Sequence, residues 1–192
     1  MKTWVPQSHA AVAAVTLIAP IAWGTTYVTV TEFLPPDRPL LVAAMRVLPA
    51  GVILAALGHL TGGRRPHGRQ WLHIAALALL NFAVFFPLLV VAIYRLPGGV
   101  AASAGGVQPL LVAALSAALG VSVPRRRDLV VGIIAAIGVA LVVVRPGASV
   151  DPVGVLAAMG ANVSFALGVV LTKRFPAPAN RVGSTGWQLL VS

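Results

Sequence analysis

Long apolar stretches alternate with short polar ones along the whole chain, and that alternation predicts helices that cross a membrane. The apolar runs are Ala10 to about Thr31, Leu40–Leu60, Trp71–Tyr94, Gly98–Val121, Leu129–Val144 and Val153–Thr172, and Thr185–Ser192 reads as the first two turns of a seventh. A helix needs about 20 predominantly apolar residues to cross the hydrocarbon core. Gly98–Val121 and Leu129–Val144 contain no charge at all, and the basic loop Pro124–Asp128 between them closes a helical hairpin. Neither run offers a face to water, as a helix of a soluble domain must. Leu129–Val144 is short for a span and reaches across only with its flanking residues snorkelling. The fold class expected is all-α, a multi-spanning transmembrane helical bundle.

The polar connections say which way the bundle lies. Basic residues gather at Arg64, Arg65 and Arg69, at Arg125–Arg127, and at Lys173, Arg174 and Arg181, whereas the alternate turns Glu32–Pro39, Arg95–Pro97 and Arg145–Pro152 hold Arg38, Arg95 and Arg145 only. With Lys2 this sets ten cations against three, and Arg46 alone lies within a span. By the positive-inside rule the basic end is cytoplasmic, so the expected placement is a multi-pass protein of the cell (plasma) membrane with a cytoplasmic N-terminus. The first run is of span length and lacks a clear cleavage site, so it is expected to be a retained helix rather than a signal peptide.

Composition agrees. The chain is 58% hydrophobic and 9% charged, against roughly a quarter charged in soluble domains. A net charge of +10 would suggest nucleic acid as a partner in a soluble protein, but the loop placement of the cations excludes that reading. With no Cys, disulfides and thiolate metal sites are excluded.

A shift of 142 positions lays Ala10–Ala50 on Pro152–Ser192 without a gap, span on span and turn on turn, with Trp23-Gly24 falling on Phe165-Ala166. Identities in that register are few, so hydropathy alone carries the repeat. Five helices per unit is an odd number, so a second unit would be inverted relative to the first.

Particular residues narrow the family. IAWGTTYV in the first span, LLVAAMRVLPAG in the second, and AIYRLPGGVAASAGGVQPLLVAALSAALG followed by GIIAAIGVALVVV resemble one repeat of the EamA type, of the drug/metabolite transporter superfamily. The resemblance makes 10–145 a first five-helix repeat and 153–192 the start of a second, and it expects further helices beyond Ser192. It implies two inverted repeats around a central cavity and movement of small metabolites, often outward. The chain departs from the family at the inner end of the fourth span, where Gly120-Val121-Ser122 stands in place of the usual Gly-Glu-Arg.

The candidate substrate-binding residues are the polar and aromatic groups that a lipid-facing helix has no use for. Arg46 lies about 10 Å along its span, where a charge costs about 2.5–3.5 kcal/mol on insertion scales. Either it faces a wet cavity and takes a substrate carboxylate or pins neighbouring carbonyls, or it snorkels to the outer interface near Glu32 and Asp37. On the first span Thr16, Pro20, Trp23, Tyr27 and Thr31 share one face, a cavity wall against the alternative of plain packing, with Thr26 beside it. Asn81 and Phe85 on the third span, Gln108 on the fourth, and Asn162 and Phe165 on the sixth complete the set; interhelical hydrogen bonding of the amides is the competing reading. Pro20, Pro49, Pro87 and Pro109 interrupt helix interiors. The small residues of the fourth span read as close helix packing.

His9, His59, His67 and His73 fall near helix ends without a pair on one helical face, and all four acids (Glu32, Asp37, Asp128 and Asp151) lie at span ends. No metal, cofactor or catalytic set is expected, and an enzyme is the least favoured reading. The leading expectation is a transporter, an exporter of small organic metabolites or drugs by alternating access, with the lipid bilayer and a small-molecule substrate as partners. The alternatives are an inactive fragment or membrane scaffold, and a small carrier completed by a second copy of the chain as a homodimer.

Overall fold

The computed structural model describes residues 9–34, 38–63, 65–143, 151–176 and 180–192. Among them are seven helices and no strand: α1 (His9–Phe33), α2 (Pro39–Leu60), α3 (Arg69–Arg95), α4 (Gly98–Ala118), α5 (Arg126–Val143), α6 (Pro152–Arg174) and α7 (Arg181–Val191). Four of these, α2, α3, α4 and α6, are long and apolar enough to cross a membrane. Large apolar side chains stand outward along them, among them Met45, Val52, Ile53 and Leu156. Such a surface is stable against acyl chains and not against water.

The helix boundaries follow from local chemistry. Pro39 and Pro152 sit at first-turn positions, where a missing N–H costs nothing. Asp151 caps α6 by accepting from the Val153 N–H at 2.7 Å, and Asn180 caps α7 by accepting from the Gly183 N–H at 2.9 Å. At the end of α4 the chain reverses through Gly120, whose φ of 65° only glycine adopts without strain. The Val121 N–H then returns to the Ser116 carbonyl at 2.8 Å.

Two long helices change their winding beside a proline. In α3 residues Leu79–Val84 form a π-helical turn just ahead of Pro87, and in α4 residues Ala104–Val107 tighten to a 3-10 turn just ahead of Pro109. A proline removes an N–H and crowds the carbonyl four residues earlier, so the preceding turn rewinds. The wound-out turn of α3 is held from α6, where the Ser164 hydroxyl donates to the Leu80 carbonyl at 2.7 Å.

Packing pairs α2 with α7, α3 with α6, and α4 with α5 and α6. The α2–α7 contact depends on glycine: a Cβ added at Gly58 would collide with the Gly183 backbone, and one at Gly186 with the Ala55 backbone. In lipid the van der Waals packing that such close approach permits is one of the forces that associate helices. Between α4 and α5, Gly106 abuts Val139 and Gly132 abuts Leu110, which matches the packing reading of the fourth span. Gly98 and Gly105 instead face open space.

The described connections meet at two ends of the bundle. At one end Asn180, between α6 and α7, donates to the Gly58 carbonyl in the last turn of α2 at 3.2 Å and to Thr61 Oγ1 just after that helix at 3.0 Å. Arg127 and Lys173 share a cleft at this same end. At the other end Arg95, after α3, pairs with Asp151, before α6, at 3.0 Å. Arg64, Asp37 and Arg145 lie outside the described residues. The shift of 142 positions carries Pro39, the first residue of α2, onto Arg181, the first of α7.

Candidate functional site

Arg46 is the one cation in the middle of a described span, and its surroundings explain how it is tolerated there. It projects from α2 toward α1 and α3. One guanidinium nitrogen, Nη2, donates to Thr26 Oγ1 at 3.1 Å. The guanidinium carbon stands 4.9 Å from the centre of the Phe86 ring. A charge-assisted hydrogen bond contributes about 1.5–3 kcal/mol, and a cation over an aromatic face about 0.5–2 kcal/mol. Together they are of the size of the insertion cost, so the charge is held in place rather than drawn to the interface. No carboxylate pairs with it among the described residues. Glu32, the candidate partner for a snorkelling Arg46, makes no ion pair with it.

Phe86 belongs to an aromatic chain that crosses the bundle. Phe82 and Phe86 stack with centroids 6.0 Å apart, Phe85 tilts against Phe86 at 5.1 Å, and Phe165 on α6 meets Phe85 at 5.0 Å. Phe82 also lines an apolar groove between α2, α3 and α7, with a volume of about 360 Å³ and walls that include Ala43, Val47, Pro87 and Leu189. That volume is in the range of small-ligand sites. A basic head position and an apolar body position are thus linked through two stacked rings.

The other residues singled out from the sequence divide. Thr26 bonds to Arg46, Tyr27 is half-buried against the core cluster, and Phe165 reaches Arg46 through the aromatic chain. Phe85 is buried among core residues of α3 and α6, so its ring supports Phe86 from behind. Asn81 lies in the π-helical turn against Gly168 of α6, with its Oδ1 buried and lacking a hydrogen-bond partner among the described residues. Asn162 is buried and its amide donates to the Ala158 carbonyl of its own helix at 2.8 Å. Gln108 is half-buried on α4, behind the 3-10 turn, and no hydrogen bond ties it to Arg46. The Trp23 and Pro20 side chains lie outside the described residues. Thr16 and Thr31 are exposed and bond to carbonyls of α1 itself, Val12 at 2.7 Å and Tyr27 at 3.1 Å. Among the described side chains of α1, Thr26, Tyr27 and Val30 face inward.

Phe86 and Phe82 escaped the sequence reading. The signal was present in Phe82, Phe85 and Phe86, spaced three and four apart on one helical face. In an apolar helix such a stripe reads as ordinary core unless a facing cation is known.

The family model described as the EamA-like transporter family matches residues 10–144. Protein PecM of Dickeya dadantii is 43% identical over 173 residues, 89% of this chain and 57% of its own length. A WAT1-related chloroplastic protein of Arabidopsis thaliana is 29% identical over 183 residues, 91% of this chain and 44% of its own. The inner membrane transporter YedA of Escherichia coli is 33% identical over 102 residues, 53% of this chain and 33% of its own. The chain therefore spans about half the length of the first two relatives, or less. No solved structure matches it.

Proposed function

Because the chain belongs to the EamA-like transporter family, we propose that it moves a small amphipathic organic anion across the plasma membrane by alternating access, outward from the cytoplasm. The anionic head is taken by Arg46 and the apolar or aromatic body lies along Phe86, Phe82 and the groove between α2, α3 and α7. The observation that carries this reading is Arg46: a guanidinium bonded through one nitrogen to Thr26, seated on an aromatic face, and without a carboxylate partner among the described residues. Its remaining N–H groups match a planar carboxylate, for which arginine is the favoured partner. The cytoplasmic side is the basic end of the bundle, by the positive-inside rule.

The structural frame proposed for this is an inverted repeat. Five helices up to 145 form the first unit and 153–192 open the second, so the glycine-lined meeting of α2 and α7 joins equivalent helices. A second reading is a carrier assembled from two copies of the chain. Native mass measurement in detergent separates one copy from two.

The transport test uses inside-out vesicles and a matched pair, an aromatic carboxylate and its neutral amide. Accumulation of the carboxylate that is lost in Arg46→Met supports the proposal. Equal handling of acid and amide, or transport of the acid unchanged by Arg46→Met, contradicts it.

A further inference from the structure

A second polar feature stands apart from Arg46, at the basic end of the bundle. α4, α5 and the last turn of α6 enclose a cleft of about 540 Å³. Arg127 and Lys173 line it from two helices distant in sequence. Ser116 lines it from α4, and is 2% exposed with its hydroxyl lacking a hydrogen-bond partner among the described residues. A buried, unpaired hydroxyl in a protein interior is uncommon and points to a missing partner. Asp128 also lines the cleft, but its carboxylate accepts from the Arg125 N–H at 3.2 Å and closes the first turn of α5. The positive end of α5, a helix of 18 residues, opens beside the same cleft.

The walls are of a different character from the mouth. Pro109, Val112 and Val131 continue the cleft along α4 and α5 away from the charges. Two cations, an unpaired hydroxyl donor and a helix N-terminus favour a phosphate group. An apolar wall running from that position into the membrane favours a phosphate that carries an acyl chain. A freely dissolved phosphate has no use for the wall.

We propose that this cleft binds an anionic phospholipid, with its phosphate held by Arg127, Lys173 and the Ser116 hydroxyl and an acyl chain along Pro109, Val112 and Val131. Basic pockets between membrane helices recognise acidic headgroups by the same physics. The site is separate from the transport site, and neither proposal depends on the other.

The test is thermal unfolding and lipid titration of the full chain purified in a neutral detergent. The probes are short-chain phosphatidylglycerol, the matching phosphatidylcholine and inorganic phosphate. Phosphatidylglycerol is expected to raise the midpoint saturably, as any ligand of the folded state does, and the other two to leave it unchanged. Arg127→Gln and Lys173→Gln are each expected to weaken phosphatidylglycerol binding roughly tenfold, the size of one lost charged hydrogen bond. Ser116→Ala should weaken it less while leaving the lipid-free midpoint in place. Arg69→Gln, which removes the same charge at the same end but outside the cleft, should bind as the parent does. The proposal is overturned if phosphatidylcholine or inorganic phosphate matches phosphatidylglycerol, if Arg69→Gln weakens binding as much as the cleft variants, or if the cleft variants bind unchanged.

Discussion

Replacing Arg46 by methionine separates a binding residue from a structural pin, because the two roles predict opposite pairs of results. Methionine keeps an unbranched apolar stem and removes the guanidinium head with its charge. The variant loses the bond to Thr26, about 1.5–3 kcal/mol, and the stacking on Phe86, about 0.5–2 kcal/mol. It gains back the cost of holding a guanidinium within the span, about 2.5–3.5 kcal/mol. The gains and losses nearly cancel, so the unfolding midpoint of Arg46→Met in detergent should lie within a few degrees of the parent. Transport should respond very differently. A charged hydrogen bond to a substrate carboxylate removed from a half-buried site lowers affinity by about 1.5–3 kcal/mol, roughly 10- to 150-fold. Concentration series in inside-out vesicles should therefore show the carboxylate KM raised at least about tenfold, with the amide unaffected. Were Arg46 a pin for α1 and α3, the same variant would melt far below the parent and every solute would suffer equally. That pair of results refutes the reasoning.

Three further outcomes follow from packing and capping. Gly186→Val places a side chain against the Ala55 backbone, and overpacking of this kind should destabilise by about 1–3 kcal/mol, read as a lower midpoint, while Gly105→Ala, in open space, should leave it in place. Asn180→Ala removes the α7 cap together with its bonds to Gly58 and Thr61, and should cost about 1–2 kcal/mol, while Asn180→Asp, which keeps the cap, should recover part of the loss. Arg95, and after it the Val153 N–H, hold the Asp151 carboxyl below its ordinary value. A depressed carboxyl stabilises the fold above its unfolded value and loses that contribution as pH falls through the folded one. The difference in midpoint between the parent and Asp151→Asn should thus be constant near neutrality and shrink below about pH 4; a difference that grows on acidification contradicts the pairing.

Much of the bundle was legible from hydropathy because lipid imposes one demand on every span, that backbone groups be satisfied within it. The helix α5 starts at Arg126 instead of Leu129, and α7 at Arg181 instead of Thr185. Both extend into polar residues that hydropathy cannot count but that turns and caps readily admit, as Asn180 does for α7. The π-helical turn ahead of Pro87 was foreshadowed only as a break, since a proline specifies a lost bond and not how the preceding turn rewinds. Arg46 stood out because a mid-span charge is costly. Which of its neighbours mattered was not legible, because Thr26 and Phe86 meet it only through helix rotation. Nor was it legible that Asn81 lies against Gly168 with its Oδ1 unpaired among the described residues, or that the Asn162 amide bonds to the Ala158 carbonyl of its own helix.

A wet, substrate-filled position beside Arg46 is the central claim, and the chain's lack of cysteine allows it to be probed at single sites. In membrane vesicles, Thr26→Cys should react with a small membrane-impermeant thiol reagent, and an aromatic carboxylate should slow that reaction while its amide does not. Val52→Cys, on the outward face of α2, should stay unreactive. A Thr26→Cys thiol that resists the reagent, or whose reaction is indifferent to the carboxylate, would contradict the account.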